Sequence, residues 1–483
     1  MREILSICVE MELTPDYVKE NIAELGKKQA LNLLRELISS SNDSNIRKNA
    51  LEMFGTIDEG DNFSFIEQLF LSDEKLEIRM FAGEILKENY SNHKNLFRLL
   101  DYTLKKVDNI EQKIFSVQLL NSLQNIKAQK VLIEYLQNFF KARAKEKTID
   151  LPLAQPIPEI IIQSWINLIL AEYYENKCGY LITLKKGKII ALNCEGSNLR
   201  DVSDIYGFRL LADLEYLSIQ RNFLQKISHL EHLTQLKSLN FSYNKLEKIE
   251  NLESLENLKE LNLSNNNIAK IENLESLLNL EKLTLSNNLF ETIENLDSLT
   301  NLKALDLNHN KISEIKNIDG LENLNRLNLS SNQIEKLEGF TYLRNLTWLY
   351  LNDNKIIQIK GLETLHKLKG LYLSNNLIIN ISSLENLVSL KKLELSNNKI
   401  SKLSGLDNLV ELQELYLDNN LIRKFEGLEG LTSLIILHIG RNKIEEFKME
   451  YIAHLRNLNF IFLNENPLDQ KSSLEYQKRI KFP

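Results

Sequence analysis

Asparagine returns every twenty-two residues, at Asn222, Asn244, Asn266, Asn288, Asn310, Asn332, Asn354, Asn376, Asn398, Asn420 and Asn442, with Asn466 two residues late. Most sit in the frame Leu-x-Leu-x-x-Asn-x-Ile, as at Leu261, Leu263, Asn266 and Ile268. The others keep an apolar residue at each leucine and isoleucine position, as at Leu239, Phe241, Asn244 and Leu246. A fixed period of this length means stacked units, none of which can bury its apolar side alone. The two leucines alternate with polar residues and so share one face of a short strand. Ile268, Ile271, Leu274, Leu277 and Leu280 then recur at a spacing of three, which suits extended or 3₁₀ turns and leaves no room for a longer helix. The asparagine amide offers donors and an acceptor to backbone groups where the buried chain turns, so a structural asparagine ladder is expected.

This frame and period resemble the short, 22-residue class of the leucine-rich repeat, over about three fifths of the chain. The resemblance implies an α/β solenoid, a horseshoe whose parallel sheet lines the concave side. The class is typified by a regulatory subunit of type-1 protein phosphatase. It therefore implies recognition of a globular domain on the concave face through aromatic and acidic residues.

Prolines mark the expected boundaries: Pro152, Pro156 and Pro158 cluster, and the next is Pro467. Before the cluster, residues 13–145 read as amphipathic helices, with Ile78, Phe81, Ala82, Ile85 and Leu86 on one stripe. A weaker 32-residue echo runs from Arg47 and Ala50 to Arg79 and Ala82, and then to Lys113 and Ser116. Basic and small residues in this order resemble the HEAT-type helical hairpin. The resemblance implies close helix packing at the small residue and a link between units from the basic one. The expected domains are a HEAT-like array at 1–150, a linker and connecting helix at 151–178, repeats at 179–466 and a short cap at 467–483. Tyr180–Leu184 and Ile189–Leu192 flank Gly187 as a hairpin that closes the first edge, and Ser197 replaces the first ladder asparagine. Tyr476, Ile480 and Phe482 are expected to fold over the last core layer.

The chain has 483 residues and a net charge of −7 without a basic block, which argues against nucleic acid as a partner. Cys8, Cys178 and Cys194 show no disulfide or zinc spacing. Met1–Glu12 lacks a signal-peptide core, and the apolar stretch from Ile160 to Ala171 is too short to span a bilayer. Sequons such as those at Asn262 and Asn328 would put glycans on the strands. A cytoplasmic location, no membrane contact and a monomeric state are expected. The seven histidines have no metal-ligand spacing, and His229 and His232 are expected to lack a carboxylate neighbour. No phosphate loop or nucleophile elbow occurs, so neither a cofactor nor catalysis is expected.

Six and four residues before each ladder asparagine, side chains should leave the concave face. Early units carry small polar or charged residues there, such as Ser238, Asn240, Lys282, Thr284, Ala304 and Asp306. Later ones carry Trp348, Tyr350, Tyr372, Lys392, Glu394, Glu414, Tyr416, Ile436, His438, Phe460 and Phe462. With strands ~4.8 Å apart, the seven aromatic or histidine rings span about 30 Å, and such a patch marks an interaction site. Trp348, Tyr350, Tyr372, Glu394, Glu414, Tyr416 and His438 are the candidate partner-binding residues, whereas Phe460 and Phe462 are expected to pack beneath the C-terminal cap. The function expected is a non-enzymatic protein-binding scaffold or adaptor. The alternatives are a phosphatase regulatory subunit, or a regulator of a small GTPase, kinase or cytoskeletal protein.

Overall fold

The computed structural model describes residues 13–123, 125–143 and 157–481. Met1–Glu12 with Cys8, Pro152, Pro156, the Ile480 side chain and Phe482 lie outside the described residues. The chain forms two compact units: one ends at Tyr173 and takes in Lys186–Lys188, and the other comprises Tyr174–Lys185 and the chain from Ile189 onward.

The first unit is helical. Ile22–Ser40 packs on Ser44–Ile57, Phe63–Ser72 on Leu76–Asn89, and Leu96–Lys106 on Ile110–Ser122. The second helices of these pairs stack on one another, and each carries one fully buried small residue: Ala50, Ala82 and Ser116. Arg47 binds the Ile38 carbonyl through Nε at 2.7 Å and pairs with Asp73 at the end of the next hairpin's first helix. Arg79 donates to the Asp73 carbonyl at 2.9 Å. In the third copy the link between hairpins comes from Gln112, whose amide donates to the Phe70 carbonyl at 2.5 Å. The expectation had placed that role on Lys113, one residue later.

The second unit is a solenoid. It opens with β1 (Leu181–Lys185) and β2 (Lys188–Asn193), whose turn residues Lys186 and Gly187, counted with the first unit, are both at positive φ as a two-residue hairpin turn demands. Twelve three-residue strands follow: β3 (Tyr216–Ser218), β4 (Ser238–Asn240), β5 (Glu260–Asn262), β6 (Lys282–Thr284), β7 (Ala304–Asp306) and β8 (Arg326–Asn328), then β9 (Trp348–Tyr350), β10 (Gly370–Tyr372), β11 (Lys392–Glu394), β12 (Glu414–Tyr416), β13 (Ile436–His438) and β14 (Phe460–Phe462). They form one sheet in chain order, and every pair from β2 onward is parallel, with leucine opposite leucine as in Leu305↔Leu327↔Leu349 until Ile461 takes the place in β14. Twelve steps make roughly 55–60 Å of concave sheet.

Two forces close each coil. The apolar residues Leu261, Leu263, Ile268, Ile271, Leu274, Leu277 and Leu280 are all buried, and Leu277 and Leu280 each bond the carbonyl three residues back, giving the tight turns the spacing predicts. The ladder asparagine then ties coil to coil. Asn332 donates to Leu307 of the preceding coil at 3.0 Å and to Leu329 and Ser330 of its own, while its Oδ1 accepts from the Ile312 amide at 3.0 Å. Asn332→Ala is expected to destabilise the fold by roughly 1–3 kcal/mol, because these backbone groups stay buried without partners. Chemical denaturation with an unchanged midpoint would contradict that role. Ser197 does not substitute for the amide, since its hydroxyl reaches only Glu195 of its own turn.

The residue before each ladder asparagine is left-handed, with φ between 52° and 59° from Arg221 to Glu465. On the far side of the coil a second left-handed position recurs, held by His229 in the first of these coils, by Ser383 in one later coil, and otherwise by asparagines and then glycines. Asn251, Asn273, Asn295 and Asn317 bridge back to the preceding coil at 2.6–2.8 Å. Glycines take over at Gly339, Gly361, Gly405 and Gly427. At Gly427 an added Cβ would lie 1.8 Å from the Leu403 carbonyl oxygen, so the backbones approach too closely there for any side chain.

The helix Gln470–Lys481 closes the end of the array. Tyr476 accepts from the Leu463 amide at 3.0 Å and its ring meets Phe447 edge-on, while Ser472 Oγ accepts from the Phe447 amide. Phe460 and Phe462 are not beneath it, contrary to expectation: they are 52 % and 38 % exposed. Strand alternation sends Ile461 inward and the two phenylalanines outward, so a lid on the coil interior cannot also cover them.

Candidate partner-binding face

In each three-residue strand the central leucine (Ile461 in β14) is buried and its two neighbours face outward, which makes two columns of side chains running along the sheet. The inner column from β8 onward reads Arg326, Trp348, Gly370, Lys392, Glu414, Ile436 and Phe460. The outer column from β9 reads Tyr350, Tyr372, Glu394, Tyr416, His438 and Phe462. Parallel pairing at a 22-residue offset sets each outer-column residue beside its counterpart on the next strand.

The aromatic rings of the outer column stack on one another. Tyr350 and Tyr372 lie 4.5 Å apart between centroids and 13° from parallel, and Arg326 covers the free side of Tyr350 at 5.0 Å. Tyr416 stacks on His438 at 4.8 Å, and His438 on Phe462 at 4.1 Å. His438 Nδ1 is 3.4 Å from Asp418, whose other oxygen accepts from the Gly440 amide at 2.7 Å.

Glu394 interrupts this column at β11, and Lys392 fills the break. Its ammonium lies 5.5 Å from the Tyr372 ring centre and 4.9 Å from that of Tyr416, and it pairs with Glu394 at 3.0 Å and Glu414 at 3.4 Å. Partial burial opposes its charge, but the hydrogen bond to Glu394 and the fields of Glu394, Tyr416 and Glu414 prevail and hold it above the ordinary lysine value. Burial raises the Tyr372 phenol, and burial with the hydrogen bond to Glu414 raises that of Tyr416.

Trp348 depends on a glycine one strand away. An added Cβ at Gly370 would lie 2.4 Å from Trp348 Cε3 and 2.5 Å from Cζ3, so the indole lies across the backbone of β10. It comes within 6.4 Å of Tyr372, centroid to centroid. The structure thus brings Trp348, Tyr350 and Tyr372 into one cluster and Glu394, Glu414 and Tyr416 into a second one around Lys392, with His438 stacked at the side of Tyr416.

Four participants escape a reading of the sequence. Lys392 stood as one column member among several, although it organises the second cluster. Arg326 and Gly370 carry no signal of their own type. Tyr216 on β3 is 48 % exposed in the inner column, so the early strands are not uniformly small or polar. The expectation for His229 also changes, because Asp201 lies 3.5 Å from its Nε2. Among the described residues no three His, Cys, Asp or Glu side chains are placed to hold a metal, and no helix is long and apolar enough to cross a membrane.

Residues 303–395 match a family described as leucine-rich repeat, and residues 256–298 and 388–430 match another described as leucine-rich repeats in two copies. An internalin from Listeria monocytogenes is 26% identical, with 72% of this chain and 92% of that one aligned at a TM-score of 0.56. A leucine-rich-repeat protein from Leptospira interrogans is 27% identical, with 60% and 81% aligned at a TM-score of 0.55. No curated protein sequence matches.

Proposed function

The chain is a leucine-rich-repeat protein, and we propose that it is a non-enzymatic scaffold that docks a protein partner on the concave face between β8 and β14. The observation that carries this reading is the pre-stacked column of rings. Stacking and cation–π contacts fix the rotamers of Tyr350, Tyr372, Tyr416 and His438 before any partner arrives. Ordering such side chains ordinarily opposes association by ~0.5–1.5 kcal/mol each. Tryptophan and tyrosine also dominate the energetics of protein interfaces.

The domain limits read from the sequence (1–150, 151–178, 179–466 and 467–483) belong to this proposal, as does a cytoplasmic setting. Asn262 and Asn328, which stand in sequons, lie on β5 and β8 of the docking sheet, where glycans would obstruct it.

The test is capture from native cell extract with the full chain as bait, beside a Tyr350→Ala bait. The expected result is one protein retained by the wild type and strongly depleted on the variant. The same proteins on both baits would contradict the reading. Recovery of a phosphatase catalytic subunit would select the phosphatase-regulator reading. A small GTPase, kinase or cytoskeletal protein would select the other adaptor roles.

A further inference from the structure

The break in the aromatic column has the chemistry of a binding site for a cation. Tyr372 and Tyr416 sit on β10 and β12, two strands and so about 9.6 Å apart. The rings flank the gap and the carboxylates of Glu394 and Glu414 line it. Two π-faces and two carboxylates converging on one point make an environment that stabilises a positive charge from several sides at once. In the free chain the occupant is the protein's own Lys392, at 3.0 and 3.4 Å from the carboxylates and 5.5 and 4.9 Å from the rings. Lys392 enters from the inner column on a four-carbon stem, and its side chain keeps 28 % of its surface in water. It can leave without disturbing the leucine core.

We infer that this gap is a cation-recognition slot with Lys392 as its internal occupant, and that a lysine or arginine side chain of the docked protein takes Lys392's place. The inference rests on the proposed docking of a protein to this face. Replacing one cation by another leaves both carboxylates paired throughout, so no charge is stranded in the exchange. The tethered ammonium also has a high effective concentration at the slot. A free ion competes with it poorly, whereas a side chain delivered by a partner already held at Trp348 and Tyr350 competes as a second tethered group. Lys392 thus screens out free cations and admits one presented by a docked surface.

The test uses the full chain with Lys392→Met, which keeps the length of the side chain and removes its charge. Tetramethylammonium chloride is the probe, sodium chloride at equal ionic strength is the control, and tyrosine fluorescence is the readout. The variant is expected to bind the ion saturably and at least about tenfold more tightly than the wild type, and adding Tyr416→Ala is expected to abolish that gain. A folded Lys392→Met chain without saturable binding, or with binding indifferent to Tyr416→Ala, overturns the inference. If Lys392→Met loses its cooperative melt, Lys392→Gln carries the same test; if both unfold, Lys392 is a structural ion-pair residue and the slot reading falls. The ion reports on the slot alone. A captured protein without ion binding overturns the slot and leaves the scaffold reading, whereas ion binding without any captured protein overturns the scaffold reading.

Discussion

Leu327→Ala is expected to destabilise the solenoid by ~2–5 kcal/mol, measured as the loss in unfolding free energy by chemical denaturation. Leu327 is fully buried at the centre of β8, between Leu305 and Leu349 of the neighbouring coils. Truncation leaves a void beside two leucines that cannot close it. The ladder bonds on both sides, Asn332 to Leu307 and Asn354 to Leu329, hold the coils at fixed spacing. Partial relaxation is what ordinarily reduces such penalties, and here the backbone resists it. The position is also near the middle of a quasi-one-dimensional array, where a weakened interface affects the coupling between the coils before and after it. A loss below ~0.5 kcal/mol would mean that Leu327 is not packed as described.

The leucine frame made the strands, their inward residues and the parallel stacking legible in the sequence, because a 22-residue period allows one register only. The hairpin at Gly187 was legible for a similarly local reason, a two-residue turn that requires positive φ. The left-handed residue before each ladder asparagine was not. Arg221, Tyr243, His309, Ser331, Asp353 and Glu465 all occupy that position, since coil closure imposes the conformation and tolerates many residue types. The second asparagine series stayed hidden because after Asn317 it gives way to glycines and, at one coil, to Ser383.

For the candidate face, alternation correctly identified which residues point outward but not what they do to one another. Glu394 and Glu414 read as acids open to a partner, yet in the free chain both engage Lys392. Counting along one strand cannot reveal a side chain that crosses from the inner column to the outer one. The Trp348–Gly370 relation is hidden in the same way, because the residue that makes room for the indole lies twenty-two positions downstream. Phe460 and Phe462 were assigned to the cap from proximity to the chain end, when the direction of strand alternation was the deciding fact.

Trp348 carries the second large expected effect. Its indole lies over Gly370 and beside Tyr372, on the same face as the stacked tyrosines. Removing it should cost ~2 kcal/mol or more of partner affinity, in line with a central aromatic anchor. Folding stability should fall by less than ~1 kcal/mol, since the leucine core beneath remains intact. Gly370→Ala should weaken binding in the same direction, because its Cβ would displace the indole while leaving tryptophan in the chain.

The most direct test of the docking face is the dissociation constant of the captured partner for the wild type, Trp348→Ala and Ser238→Ala, each with its melting curve. Ser238 lies in the same inner column on β4, far from the aromatic stack. The structure predicts at least ~30-fold weaker binding for Trp348→Ala, wild-type affinity for Ser238→Ala, and near-native melting for both. Equal affinity in all three, or a Trp348→Ala chain that loses stability while keeping its partner, would contradict the concave aromatic face as the binding site.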